Sequence, residues 1–260
     1  MTEPTPALEL LSEQRGPILW LTINREARRN AVNHGVLAAL TLAIDTAQER
    51  RDLRAIVLTG AGQKAFCAGV DLQADKAFTT DYSEPYGHLA RLLRSARMST
   101  LPLIARVNGA CMAGGMGLLS MCDMAVTAGH AVFGLPEVKI GVFPAQVLSV
   151  LQHLVPRRKL AEMCLTGEPL TAAEALEFGL VNYVDDDVDT RLQWLLDRLL
   201  DKSPAAIRRG LYTMKKIEAM SFEESMSFTE SQIALFTLTE DAREGQAAFK
   251  EKRKPNWAGK

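Results

Sequence analysis

GACMAGGMGLLSMCD, residues 109–123, is the stretch on which the reading of this chain turns. Four of its fifteen residues are glycine, and no acid, base or strong nucleophile precedes Asp123. Cys111 and Cys122 have no obvious partner. Any chemistry in this segment therefore has to come from the main chain. Glycine lets a backbone approach a ligand with no Cβ in the way. Peptide N–H groups at the start of a helix are unpaired and point along a dipole that favours negative charge. A helix is expected from about Gly114 to Met121, so the Gly114-Gly115 turn is a candidate oxyanion hole. The alternative is close helix–strand packing, which is the better reading of this segment taken by itself.

On either side, PLIARVN (102–108) and DMAVT (123–127) read as strands. Nearer the N-terminus, ILWLTI (18–23) and RAIVLT (54–59) read the same way, the second broken by Gly60 and Gly62. Between them, residues 31–51 place Val36, Leu37, Leu40, Ile44 and Ala47 on one helical face, with Asn30 as the expected N-cap. The order strand, helix, strand, turn, helix, strand indicates an α/β fold whose loops carry the chemistry. After residue 145 the chain turns mainly helical, over 145–163 and 172–178, the latter stopped by Gly179. Asp189, Ser203 and Ser221 each precede a further apolar-periodic segment. Pro204 suits a first helical position, and Ser221 with Glu224 fits a capping box. Leu192, Leu195, Leu196 and Leu199 share one face, as do Ile207, Leu211 and Met214, so these helices can fold back on the body or reach a neighbouring subunit. Residues 73–88 have no pattern and read either as a lid or as a surface insertion.

Thirty basic and 31 acidic residues give a net charge of −1, which argues against a nucleic-acid binder. No apolar stretch is long enough to span a membrane, and no signal peptide is evident, so a cytoplasmic protein is expected. Cys67, Cys111, Cys122 and Cys164 form no CxxC pair and no zinc-like spacing with the four histidines, so free buried thiols are expected. Gly109 and Gly114 have P-loop spacing, but Gly115 and Met116 stand where lysine and serine or threonine are required. Ser120 occupies the third position of a would-be GxGxxG, and neither GxSxG nor HExxH occurs.

A second segment, AFCAGVDL (65–72), again places small residues directly after a strand. Two such turns can each give one N–H to a single carbonyl oxygen. A third, FGLPEVKIGVFP (133–144), carries Glu137 directly after Pro136, which alone reads as an acidic residue stabilised in a first helical turn.

Together these segments resemble the crotonase, or enoyl-CoA hydratase/isomerase, superfamily. The likeness also takes in INREARRNAVN (23–33), LTGEPLTAAEALEFGLVN (165–182) and EGQAAFKEKRKPNW (244–257), and so covers nearly the whole chain. It implies an α/β, ClpP-like spiral of ββα units over residues 1–195. A helical oligomerisation region over 196–260 would build a homotrimer or a hexamer made of two trimers. It also implies an acyl-CoA thioester as substrate, with no metal or separate cofactor, since coenzyme A arrives as part of the substrate. The thioester oxygen would be held by the backbone N–H groups of Val70 and Gly114. Val70, Asp71, Leu72 and Gln73 would line the acyl-CoA site, with Ala27, Arg28 and Ala68 around the CoA moiety. Lys252 or Lys254 could meet CoA phosphates, although solvated tail charges are the simpler reading.

A typical hydratase of this family uses two glutamates. The second falls on Glu137, but the first falls on Gly117, which has no side chain to move a proton. The leading expectation is a 2-enoyl-CoA hydratase with Glu137 as acid/base and water placed by another group, such as Gln146 or a residue of the 73–88 loop. The alternatives are a Δ3,Δ2-enoyl-CoA isomerase, in which one glutamate shuttles the proton, and a non-catalytic acyl-CoA binder. The missing side chain at Gly117 also leaves room for a bulky, branched or carboxylated acyl group.

Overall fold

The computed structural model describes residues 8–73 and 81–260. The chain opens with a hairpin of β1 (Leu10–Arg15) and β2 (Ile18–Ile23), which turns at Gly16 with φ +57°. α1 (His34–Gln48) follows and buries Val36, Leu37, Leu40, Ile44 and Ala47, the face expected from the sequence. Its N-cap is Asn33, whose side chain accepts the Val36 N–H at 2.9 Å. Asn30, the expected cap, has another task. It sits in the left-handed region at φ +56°, fully buried, and its amide donates to the carbonyls of Ala61 at 2.9 Å and Ala65 at 2.7 Å. Asparagine tolerates that backbone conformation, and its amide supplies buried carbonyls that have no strand partner.

From here the chain repeats one move: a strand in a large sheet, a short strand in a second sheet, then a helix. The first pass is β3 (Ala55–Gly60), β4 (Ala65–Cys67) and α2 (His88–Met98). The second is β5 (Leu103–Val107), β6 (Ala110–Met112) and α3 (Gly114–Ser120). The third is β7 (Met124–Ala128), β8 (Val132–Gly134), a 3₁₀ turn over Pro136–Ile140 and α4 (Ala145–Leu151). Then come α5 (Arg157–Thr166), β9 (Leu170–Thr171), α6 (Ala172–Glu177) and β10 (Tyr183–Asp185). Four helices complete the chain: α7 (Val188–Leu200), α8 (Pro204–Ile217), α9 (Phe222–Thr237) and α10 (Glu240–Glu251).

The large sheet runs β1-β2-β3-β5-β7-β10, parallel throughout except for the β1–β2 pair. The small sheet runs β4-β6-β8-β9. Successive passes lie side by side in both sheets, which makes the chain a spiral of ββα units. β3 is buried along its whole length, because helices cover both faces of a parallel sheet. One face carries the main core, with α1 and α2. Against the other lie Val188, Leu192, Leu195 and Leu196 of α7.

The structure refines two helical readings. The single helix expected over 145–163 is two, α4 and α5, with residues 152–156 between them and Pro156 at the N-cap of α5. The cap of α7 is Asp187, which accepts the Thr190 N–H at 3.0 Å, whereas Asp189 lies inside the first turn and binds Arg106 at 2.6 Å. Ser203 before Pro204 and the Ser221–Glu224 capping box stand as read. α8 lies back on the body: Arg208 donates to the Arg50 carbonyl at 2.7 Å, and Lys215 pairs with Asp123 at 2.9 Å. Of residues 73–88, read as a lid or a surface insertion, 74–80 lie outside the described residues.

Candidate functional site

Val70, the third residue after β4, and Gly114 at the start of α3 meet at one point. A methyl group placed on Gly114 would lie 3.5 Å from the Val70 nitrogen and 3.3 Å from its Cγ2. One placed on Gly69 would lie 2.8 Å from the Ala113 Cβ and 3.5 Å from the Gly114 nitrogen. Gly69 has φ +106°, and Ala113, a non-glycine, is held at φ +51°, ψ −122°. Such a conformation costs of order 1–3 kcal/mol and persists only where the surroundings over-determine it.

Those surroundings are on both sides. The Ala113 N–H donates to the Gly134 carbonyl at 2.8 Å, locking the turn to β8. Val32 donates to Gly69 and Asp71 donates to Val32, at 2.8 and 2.9 Å, so the other turn is fixed to the segment ahead of α1. Gly115 closes the arrangement, because a Cβ there would run into the Cys67 carbonyl. Among the described residues the Val70 and Gly114 N–H groups have no acceptor. Two free donors, one from the turn after β4 and one from the start of α3, thus stand side by side, an arrangement that can hold one carbonyl oxygen as it gains charge.

Glu137 stands on the 3₁₀ turn three residues after Gly134, the residue tied to Ala113. Its Oε2 is buried with no hydrogen-bond partner among the described residues. Burial raises its carboxyl above the ordinary range, opposed only by its own backbone N–H. Burial, and then the charge of Glu137, also raise the thiol of Cys164 on α5. Cys67 in the oxyanion turn is fully buried and its thiol is pushed up to about 12, so it is a packing thiol rather than a nucleophile. All four cysteines are free. Among the described residues no group of three His, Cys, Asp or Glu side chains could hold a metal ion.

The residues read as the CoA face also assemble. Ala27 and Arg28 form an exposed 3₁₀ turn, and the Arg28 guanidinium bonds to Gln73. The Ala68 N–H donates to Arg29 at 3.0 Å. Leu72 is 54% exposed beside them. Asp71 faces the other way: it is buried, its carboxylate pairs with Arg25 at 2.7 Å, and that partner holds it below the ordinary range. Arg25 also donates to the Ala31 carbonyl and to Glu9. Sequence reading missed Arg25, because its partners lie 6 to 46 residues away and no motif connects them.

Two of the three acids in the 73–88 loop have other partners. Glu84 pairs with Arg91 at 2.6 Å, Asp81 accepts from Ser83 at 2.6 Å, and Asp75 lies outside the described residues. Lys252 and Lys254 are exposed beyond α10, which packs on α8 and α9. Gly117 is buried one turn into α3, and a Cβ there would meet only Val147 Cγ2, at 3.3 Å.

A spiral of ββα units sets two backbone donors side by side and carries Glu137 on the turn after Gly134, which is tied to the second of those turns. The comparisons with known proteins agree. The family model for enoyl-CoA hydratase/isomerase matches residues 13–260, and the chain belongs to that family, with the crotonase fold. It is 36% identical over 258 residues to enoyl-CoA hydratase EchA19 of Mycobacterium tuberculosis, covering 96% of each chain. It is 31% identical to the 2,3-dehydroadipyl-CoA hydratase of Escherichia coli, covering 97% of this chain and 99% of that one. The crystal structure of an enoyl-CoA hydratase from Mycobacterium smegmatis superposes with a TM-score of 0.91 at 31% identity, over 96% of this chain and 99% of that one.

Proposed function

We propose that this protein hydrates a 2-enoyl-CoA thioester, with Val70 and Gly114 holding the thioester oxygen and Glu137 moving the proton. The observation that carries the reading is the meeting of two N–H groups that have no acceptor among the described residues, with Glu137 on the turn that follows Gly134, the residue tied to Ala113 beside them. As water adds to C3, electron density moves through C2 to the thioester oxygen, giving an enolate. Preorganised donors stabilise that oxyanion more than the ground-state carbonyl, and losing one such donor costs on the order of 10²–10³ in rate. Glu137 takes a proton from the attacking water and delivers one to C2, so the sum is one water across the double bond. A carboxyl raised by burial suits both halves of that exchange. Coenzyme A enters and leaves as part of the ester, and the scheme requires no separate cofactor. Ala27, Arg28, Ala68, Leu72 and Gln73 form the face offered to CoA, with Asp71 holding its edge in place. α8, α9 and α10, with Phe222 72% and Phe249 86% exposed, supply an apolar surface for assembly into a trimer or hexamer.

One observation favours a second reading. Gly117 leaves a single carboxylate, and one carboxylate suffices to carry a proton from C2 to C4 of a 3-enoyl-CoA, as a Δ3,Δ2-isomerase does. A panel of 2-enoyl- and 3-enoyl-CoA esters separates the two. Hydroxyacyl-CoA from the 2-enoyl esters is the expected product. Shifted double bonds with no hydroxy product would replace hydration with isomerisation, and saturable binding with no turnover would reduce the protein to a binder.

A further inference from the structure

We propose that Arg25 is a positioning residue for the reaction, whose guanidinium brackets the turn carrying Val70 and so directs the Val70 N–H; this rests on the enoyl-CoA reading above. Val32 and Val70 face each other as a parallel bridge. Val32 makes both bonds of that bridge. Its N–H donates to the Gly69 carbonyl at 2.8 Å, and its carbonyl accepts from the Asp71 N–H at 2.9 Å. The bonds reach the residues on either side of Val70, so the N–H of Val70 itself is turned away from Val32. Gly114 stands beside that nitrogen, a Cβ on it lying 3.5 Å away. The aim of the Val70 donor therefore depends on how firmly Gly69 and Asp71 are held against Val32.

Two backbone bonds in a line still leave the turn free to pivot about them. Arg25 removes that freedom from the side. One Nη donates to the carbonyl of Ala31, the residue before Val32. The other donates to Oδ2 of Asp71, the residue after Val70, at 2.7 Å. A guanidinium is planar and holds its donors in one rigid fork, so a single side chain fixes the spacing of the two segments. Its remaining corner is occupied as well. Nε donates to Glu9 at 2.7 Å, and the other Glu9 oxygen accepts from Asn33, the N-cap of α1, at 2.8 Å. The fork is thus anchored to β1 and to the first turn of α1. None of these bonds is made to Val70 or Gly114, so Arg25 acts through the turn and not on the substrate. A lysine carries charge but has no fork with which to span Ala31 and Asp71 in the same way.

The test uses para-dimethylaminocinnamoyl-CoA, an ester whose absorption moves to longer wavelength when its thioester oxygen is polarised. Read per bound ester, the shift reports the two N–H donors and does not depend on how much of a variant folds. The intact protein is expected to give the shift. In Arg25→Met the shift should shrink while the Kd of the ester changes little. For a short 2-enoyl-CoA, kcat should then fall by about 10- to 100-fold, the scale of a donor misplaced rather than lost. Arg25→Lys should recover part of both, and it carries the test if the methionine variant does not fold. An undiminished shift in Arg25→Met, or in Arg25→Lys where only that variant folds, would overturn this proposal and leave the enoyl-CoA reading standing. Binding without any shift in the intact protein would overturn both.

Discussion

The two halves of the site are built by opposite means. The oxyanion half is made of backbone and is crowded: a Cβ at Gly69 or Gly115 meets neighbouring atoms at once, and Ala113 is held in a strained conformation. The proton-transfer half is made of one side chain and is less crowded. Glu137 has an oxygen with no partner among the described residues, and Gly117 faces only Val147. Where charge develops in the reaction, donors have to be immobile, because preorganisation is what makes them worth more to the transition state than to the substrate. Where a proton is carried, the group has to reach two atoms in turn and titrate near its working pH. Crowding serves the first need and looseness the second.

Substitution should separate the halves. The largest effect is expected from Gly115→Ala, whose new Cβ collides with the Cys67 carbonyl and cannot relax without separating α3 from β4. A loss of at least about 3 kcal/mol, with a sharp fall in denaturant midpoint, is the expected outcome. Arg25→Met comes next. It removes the partner of Asp71 from an ion pair whose side chains are 11% and 8% exposed. Losing one partner of such a pair should cost about 3 kcal/mol. Because Asp71 adjoins Val70, kcat should also fall more than KM rises, and steady-state kinetics would show whether the damage reaches the oxyanion turn.

The side-chain half should show itself through pH. Burial raises the Glu137 carboxyl, so the native state binds that proton more tightly than the unfolded chain does. The ionised form therefore costs stability at high pH, and the cost disappears as pH falls below the unfolded value, about 4.3 for a glutamate. Glu137→Gln should raise the Tm at pH 8 and lose that gain near pH 4. The acid limb of kcat/KM for the intact protein should lie above the pH at which an ordinary carboxylate titrates. The smallest effect belongs to Gly117→Ala. Val147 has to shift by a few tenths of an ångström, while alanine improves helix propensity, so stability should stay within about 1 kcal/mol. A collapse comparable to that of Gly115→Ala would erase the contrast between the two halves.

Much of this was legible in the sequence, for identifiable reasons. The central strands are short runs rich in branched apolar residues, and α1 repeats its apolar face at helical spacing, so both could be read directly. β1 escaped because an edge strand with one solvated flank, LLSEQR, has no apolar signature. Pro156 marked the start of α5 but was overridden by the apolar period on either side, and nothing local announced the end of α4 at Leu151. In the site, the glycine turns announced exposed backbone. Their meeting, however, depends on Val32, Gly134 and the Arg25–Asp71 pair, contacts far apart in the chain that no local pattern encodes. Ser120 is a plain serine in sequence, and only the structure shows that its buried hydroxyl has no partner among the described residues.

Hydration of a short 2-enoyl-CoA by the intact protein and by Glu137→Gln, with ester binding measured alongside, tests the central claim most directly. The expected result is a loss of roughly 10²–10⁴ in kcat with the Kd of the ester little changed, since the backbone donors remain in place. Full activity in Glu137→Gln would contradict the account, because the proton would then be moved by another group.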